Sequence, residues 1–399
     1  MIENRWLLPE GVDELLPADA ASLESLRRKI TDLYGSWGYE LIMPPFIEYL
    51  ESLLTGTGHE SDLQTFKLVD QLNGRTIGVR PDMTPQVARI EAHRLQREGV
   101  SRLFYMGTTL RTRADGLFGS RSPLQLGAEI YGHAGAASDA EVISLMLATL
   151  SACGAKDVYL DLGHVGLFRG LAREAGLSKA QEVALFDMYQ RKSVPEIDAF
   201  VTDNIHDEAS ARRLRGLVDL SGDESALSEA AVLLEHASAE VRGALDELRE
   251  ISQQLRARNS DIRIHYDLSE LRGYSYHTGV VFAAYLDGDG QEVARGGRYD
   301  DVSACFGRCR PATGFSTDLK VLNELALRVA GKTDSRQEAI LVTDTSDPGV
   351  WQEISRLRSA GEIVACALSE AAPETDTLVF TRRLILKDGT WKTEEYNHG

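Results

Sequence analysis

Long hydrophobic runs are missing from this 399-residue chain. No apolar stretch reaches the roughly 18–20 residues that a membrane span needs, so contact with a membrane is not expected. The first eleven residues have no basic start followed by an apolar run, so no signal peptide is expected either. Cysteine is sparse. The four, Cys153, Cys305, Cys309 and Cys366, are scattered, which suits reduced thiols in a cytoplasmic location and excludes a disulfide framework. Cys305 and Cys309 stand four apart, but without a second pair or a neighbouring histidine no metal site is predicted. Positive charge is in deficit, with 43 Lys and Arg against 61 Asp and Glu and a net charge of −18. Such a surface repels polyanions, and no basic run offsets it, so tRNA or other nucleic acid is not an expected partner. Both common phosphate loops are absent, as are low-complexity tracts and internal repeats. The histidines at 59, 93, 133, 164, 206, 236 and 265 show no ligand spacing, and no Ser–His–Asp arrangement is visible.

One further absence is local. Between Ala294 and Leu322 two glycine-rich turns, Gly296-Gly297 and Gly314, flank a strand–helix pattern. The last helix then opens with Asp318, Lys320 and Val321 and offers no arginine. A site holding a nucleotide triphosphate would want a fixed planar cation at that place.

What is present is a soluble composition, 43% hydrophobic and 26% charged, with enough length for two or three domains. Helical spacing runs through residues 19–36. An extended segment follows from Tyr39 to Phe46, with Pro44-Pro45 confining it to a short or edge strand. Thr65 to Val79 reads as a hairpin around Asn73-Gly74. Thr84 caps a helix reaching about Gln96, with Pro85 at its first position. Residues 101–132 give two strands around a loop from Arg111 to Ser122. Ser138 to Cys153 is a helix with Asp139 and Glu141 favoured by its dipole, and a strand begins at Val158. From about 178 to 259 the pattern is helical and acidic, as in an inserted subdomain. Strands resume at 262–268, 279–286 and 292–295, and a last helix spans about 318–329. Beyond a polar linker at 331–336, residues 337–399 form a small α/β segment with short strands at 363–367, 377–380 and 384–386, too small for a large independent core. Such hairpin-rich alternation favours an antiparallel sheet in an α+β domain.

Four clusters carry potential chemistry. In Arg80-Pro-Asp82-Met-Thr84 a carboxylate and a hydroxyl at a strand–helix junction could grip an ammonium group, or could simply cap the helix. Gln125, Gly127 and Glu129 share one strand face opposite Leu124, Leu126, Ala128 and Ile130. Gly127 leaves space above that face, which is either a pocket or a solvated surface. Arg272-Gly-Tyr274-Ser-Tyr276-His277 sets a cation, two tyrosines and a histidine before a strong strand, as a binding loop or as a turn packed on the core. The pair Gly296-Gly297 would allow close backbone approach to a ligand.

Taken in order, these segments resemble the class II aminoacyl-tRNA synthetase fold, and histidyl-tRNA synthetase within it. Gly38 to Glu48 is similar to that family's first motif, with its dimer-interface proline at Pro45. Arg80 to Thr84, Leu110-Arg111 with Gln125 to Glu129, and Arg272 to His277 resemble its histidine-binding elements. Gly296 to Asp300 and Pro311 to Phe315 resemble its third-motif region. The resemblance spans roughly residues 5–330. It implies a class II synthetase-like antiparallel sheet flanked by helices, in a core of residues 1–330 interrupted by the helical insert at 178–259. The departures are specific. Val321 stands where the synthetases hold ATP with arginine, Lys320 replaces an acid, the second motif is reduced to Arg111-Thr-Arg113, and Ser275 replaces the signature's aspartate. The tail is too short for the usual anticodon-binding domain. That combination is similar to the regulatory subunits of ATP phosphoribosyltransferase, non-catalytic synthetase paralogues in histidine biosynthesis. The resemblance implies a short-form catalytic subunit as partner, a homodimer within a hetero-oligomer, feedback by free histidine, and no cofactor. It implies no catalytic residues, and a histidine site made by Asp82, Thr84, Arg111, Gln125, Glu129, Arg272, Tyr276 and His277.

Overall fold

A computed structural model describes residues 6–56, 59–114, 119–274, 276–287, 289–330, 336–368 and 372–396. Ser275 and linker residues 331–335 lie outside the described residues. The chain forms two compact units, Met1–Asp13 with Arg27–Val329, and Glu14–Leu26 with Ala330–Gly399. Among the described residues no helix is long and apolar enough to cross a membrane.

The larger unit is built on a nine-stranded sheet. Its order is Glu40–Leu41, Ser101–Thr108, Leu124–Tyr131, Ala312–Asp318, Asp289–Arg298, Val280–Leu286, Val158–His164, Arg263–Asp267 and Ser221–Gly222. The six strands from Ser101–Thr108 to Val158–His164 are antiparallel, as expected. Glu40–Leu41 and Arg263–Asp267 join parallel on either side. Glu40–Leu41 is short and at the edge, where the following prolines cost no ladder bonds. Phe66–Val69 and Thr76–Val79 pair as the predicted hairpin, with Gly74 at φ +73° in its turn.

Register decides which side chains share a face. Phe104, Ala128 and Phe315 are aligned across three strands. The Tyr34 ring covers them, 5.2 Å from Phe104, with its hydroxyl 3.0 Å from Thr149 on the Ala136–Ala152 helix. On the opposite face Leu103, Glu129, Gly314 and Gly297 are aligned. There the Thr84–Ile90 helix packs Met83, Val87 and Ala88 with Tyr105 and Tyr299 into an apolar cluster. Both faces are covered, so the solvated alternative for Gln125 and Glu129 is excluded: they are 4% and 1% exposed.

Several expectations are corrected. Gly296-Gly297 and Gly314 are not turns. They lie inside adjacent strands, with Gly297 paired to Gly314. Their smallness serves a neighbour, since a Cβ on Gly314 would fall 1.5 Å from Glu129 Oε2. The space above Gly127 is already filled, because a Cβ there would meet the Tyr105 hydroxyl at 2.3 Å. Thr84 is the first helical residue and not the cap; its N–H donates to Asp82 Oδ1 at 3.0 Å, so Asp82 supplies the capping oxygen. Asp139 does more than favour a helix dipole. It is fully buried and ion-paired to Arg298 at 2.7 Å.

Residues 178–259, expected as a helical insert, contain five helices, Lys179–Gln190, Val194–Asn204, Glu208–Leu217, Glu224–Leu233 and Ala239–Arg258, and the short strand Ser221–Gly222, which joins the nine-stranded sheet. Four of the helices begin at side-chain caps, Ser178 (a capping box with Gln181), Asp207, Asp223 and Ser238. Apolar positions along Ala239–Arg258, from Val241 to Leu255, are buried.

In the smaller unit the sheet order is Val364–Cys366, Gln337–Val342, Leu378–Lys387 and Thr390–Glu395. It has its own apolar clusters. Ile340, Val342 and Leu384 pack with Ile354 of the Val350–Ser359 helix, while Ala339, Leu341 and Phe380 form another. The two short strands expected at 377–380 and 384–386 are one strand. A register shift between Ala339 and Ile340 puts an extra residue, Thr381, on the long strand. That bulge reverses the alternation, so the period-two pattern breaks although the strand continues.

Candidate functional site

All eight residues singled out from the sequence line one cavity of about 450 Å³ in the larger unit, a size suited to a small ligand. Its floor is the face carrying Glu129 and Gly314. One wall is the strand–helix junction at Asp82 and Thr84, and the other is the turn bearing Tyr276 and His277.

The Asp82 wall is a hydrogen-bonded relay. Gln125 Nε2 donates to Asp82 Oδ1 at 2.7 Å, and Gln125 Oε1 accepts from Met83 N at 2.9 Å. Both ends of the Gln125 amide are therefore engaged in aiming Asp82. Thr84 Oγ1 lies 2.7 Å from the Tyr105 hydroxyl, and Tyr105 donates to Glu129 Oε1 at 2.9 Å. Tyr299 donates to the other oxygen, Oε2. Glu129 is thus gripped by two buried phenols over a glycine. Burial pushes its carboxyl up to about 8, against the opposing pull of the Tyr299 and Tyr105 donors.

On the facing wall the Tyr276 ring lies 5.1 Å from Tyr299. Its hydroxyl is buried and makes no hydrogen bond with the described residues, an arrangement that costs stability unless something else provides the partner. His277 Nδ1 lies 3.3 Å from the Arg298 carbonyl oxygen. Burial lowers its pKa to about 4, so the ring is neutral at pH 7. The carbonyl favours the proton on Nδ1 and leaves Nε2 as an acceptor. Arg298 is held in turn by Asp139, Ser138 Oγ at 2.8 Å and the Gly135 carbonyl at 3.1 Å. Burial raises the pKa of Asp139, and the Arg298 guanidinium opposes that rise.

The two arginines differ. Arg111 reaches the cavity with Nε 3.3 Å from the Pro81 carbonyl. Arg272 is turned toward other groups: Glu292, Glu270 at 3.2 Å and the Tyr285 hydroxyl at 3.0 Å, with 42% of its side chain exposed. It borders the cavity as a braced rim.

An adjoining cavity of about 1000 Å³ shares Arg111, Gln125 and Arg272 and extends to Asp318, Lys320 and Val321. Here Lys320 is paired with Asp13 at 2.9 Å and Arg295 with Glu292 at 2.7 Å. Asp318 Oδ1 accepts from Leu124 N at 3.1 Å and Lys320 N at 2.9 Å. Val321 borders this space without a charge.

Tyr105, Tyr299 and the Arg298–Asp139 pair were not among the residues singled out. Tyr299 follows directly on Gly296-Gly297-Arg298, a segment read only for its backbone. Tyr105 carries no local signal, since only its pairing opposite Gly127 brings it to Glu129.

Comparison with known proteins extends this picture. The sequence profile of the histidyl-tRNA synthetase family matches residues 11–322, and that of the ATP phosphoribosyltransferase subunit HisZ C-terminal domain matches residues 337–394. The chain is 55% identical over 367 residues to an ATP phosphoribosyltransferase regulatory subunit of Thioalkalivibrio sulfidiphilus, covering 92% of each chain. It is 52% identical to the regulatory subunit of Pseudomonas putida, covering 98% of each. A crystal structure from Bacillus halodurans, described as an ATP phosphoribosyltransferase regulatory subunit/histidyl-tRNA synthetase, superposes with a TM-score of 0.78 at 29% identity, over 91% of this chain and 92% of that one. The fold is therefore the class II, histidyl-tRNA synthetase-like one expected from the motifs, and the chain belongs to the family of ATP phosphoribosyltransferase regulatory subunits.

Proposed function

We propose that this chain is a non-catalytic subunit required for ATP phosphoribosyltransferase activity, the first step of histidine biosynthesis, and that free histidine in the 450 Å³ cavity is its feedback signal. Catalysis then resides on a short-form partner chain, with this subunit, as a homodimer, part of a hetero-oligomer. The observation that carries the reading is the contrast within this region. The cavity is lined by ordered polar groups around Asp82 and Glu129, while the cations Arg272 and Arg295 on its rim and Lys320 in the adjoining cavity are each paired with a carboxylate. A polyphosphate entering there would have to displace those pairs.

In this reading Asp82 and Thr84 take the ligand's ammonium and Arg111 its carboxylate. Glu129, Tyr276 and His277 Nε2 surround the imidazole. Gln125 acts by aiming Asp82, and Arg272 by bracing the rim. Hydrogen bonds to charged groups contribute roughly 1.5–3 kcal/mol each, and micromolar binding needs about 8 kcal/mol, so a few of them suffice. Feedback further requires histidine to prefer one assembly state. A hundredfold preference corresponds to about 2.7 kcal/mol. The net charge of −18 speaks against tRNA as a ligand.

The test is reconstitution. The chain should restore phosphoribosyl-ATP formation to an otherwise inactive short catalytic chain and make it sensitive to histidine. Glu129→Ala should weaken histidine binding in calorimetry while leaving assembly intact. Unchanged affinity would place the inhibitor elsewhere. Histidine-dependent pyrophosphate exchange by the chain alone would instead support an adenylating ligase.

A further inference from the structure

The turn that forms one wall of the cavity has a second face. Gly273 sits at φ +65°, a conformation suited to glycine. Its carbonyl accepts from the N–H groups of both Tyr276 and His277 at 2.8 Å. Tyr276 and His277 border the cavity. Tyr274, only 6% exposed, packs on the helices behind the turn. Its ring stacks on Phe186 with centroids 5.0 Å apart and meets Phe168 edge-on at 5.5 Å. Its hydroxyl donates to Glu182. Phe186 and Glu182 belong to Lys179–Gln190, the first helix of the insert.

Arg169 ties the two faces together. Its guanidinium lies over the Tyr274 ring at 4.8 Å and donates to the carbonyls of Tyr274 at 3.0 Å and His277 at 3.1 Å. The described residues of the turn are thus braced, by two N–H groups on one carbonyl and, from the Val165–Glu174 helix, by one guanidinium on two carbonyls. Behind the cavity the turn's aromatic anchors are Phe186 on the insert and Phe168 on the Val165–Glu174 helix. At the far end of the same insert helix, Gln190 borders the cavity, and Lys192 just beyond is ion-paired with Asp267.

We propose that Tyr274 couples the cavity to the helical insert, so that filling the cavity is reported on the Lys179–Gln190 helix. The proposal rests on reading the cavity as a histidine site. A braced turn displaced at Tyr276 and His277 moves as a body, and the packed rings on its other face shift with it, because close-packed contacts exchange between discrete arrangements and do not deform continuously. The insert, an acidic helical subdomain with no cavity residue except at this end, then acts as the surface on which occupancy is displayed.

Hydrogen exchange of the full chain, with and without saturating histidine, tests this alongside calorimetry. In the natural protein histidine should slow exchange of amides 180–190 by about tenfold. Tyr274→Leu should still bind histidine, within about tenfold of the natural affinity, yet leave exchange at 180–190 unchanged by it. Phe186→Ala, which removes the same stack from the insert side, should behave alike and decides the matter should Tyr274→Leu not fold. Slowed exchange in both variants, or none in the natural chain despite measured binding, overturns the coupling alone. No heat of binding in the natural chain overturns the histidine reading and the coupling with it.

Discussion

In the 450 Å³ cavity two acids are held by neutral partners, Asp82 by the Gln125 amide and Glu129 by the hydroxyls of Tyr105 and Tyr299. Toward the adjoining 1000 Å³ cavity the cations are held by carboxylates, Lys320 by Asp13, and Arg272 and Arg295, which line both cavities, by Glu292. A neutral donor fixes a carboxyl without cancelling its capacity for charge. A salt bridge cancels it. Asp82 and Glu129 therefore keep their capacity for charge, whereas the paired cations have little to offer a polyanion. Burial sharpens the difference. The Glu129 side is inside the core, where hydrogen bonds are strong and unpaired groups costly, whereas half of the Asp13 side chain is exposed.

Four substitutions probe that contrast, beginning with the largest expected effect. Arg298→Met strands the fully buried Asp139 behind the His277 wall. Breaking a buried pair in this way costs about 3–5 kcal/mol, measured as a fall in the urea midpoint. A loss under about 1 kcal/mol would mean that the pair behaves like a surface one. Glu129→Gln should weaken histidine binding by about 1.5–3 kcal/mol, or roughly 10- to 150-fold. It should also change the pH dependence of stability. Burial raises this carboxyl from 4.5 to about 8 on folding, so its contribution is present in full below pH 4.5 and is lost as pH rises through 8. Relative to the glutamine variant, the natural chain should therefore lose stability across that interval; parallel curves would show Glu129 ionised throughout.

Tyr276→Phe removes a buried hydroxyl that has no partner among the described residues. Stability should hold or rise slightly while histidine affinity falls about tenfold, near 1.4 kcal/mol. A drop in melting temperature with unchanged affinity would make the hydroxyl structural. The smallest effect belongs to Lys320→Ala. Its pair with the half-exposed Asp13 should be worth less than about 1 kcal/mol, and calorimetry should find histidine affinity unaltered. A large loss of affinity would show that the two cavities are not separate in function.

How much of this was legible in the chain depends on range. The eight residues that line one cavity were brought together by the family resemblance, while local rules showed only a strand–helix junction, a strand face and a turn, each with a structural alternative. The caps of the insert helices were equally local. What could not be read were distances across strands. Gly296-Gly297 and Gly314 look like turns to any local rule, and only their mutual pairing shows that they clear room for His277 and Glu129. Thr84 looks like a cap until Tyr105 is brought 2.7 Å from it. The bulge at Thr381 hides a single strand behind a broken alternation.

By itself, then, the sequence determined the order of the elements and the α+β class, which follow from periodicity and from side-chain chemistry within a few residues, and its ordered motifs carried the resemblance that gathered the candidate site. Tertiary structure alone decided which of those residues hold a neighbour in place. Gln125 became the support of Asp82, Arg272 a braced rim, and Tyr105 and Tyr299 the clamp on Glu129. The reason is physical: a hydrogen bond and a burial free energy depend on what lies across the sheet, and strand register is set by the whole core and not by any one segment.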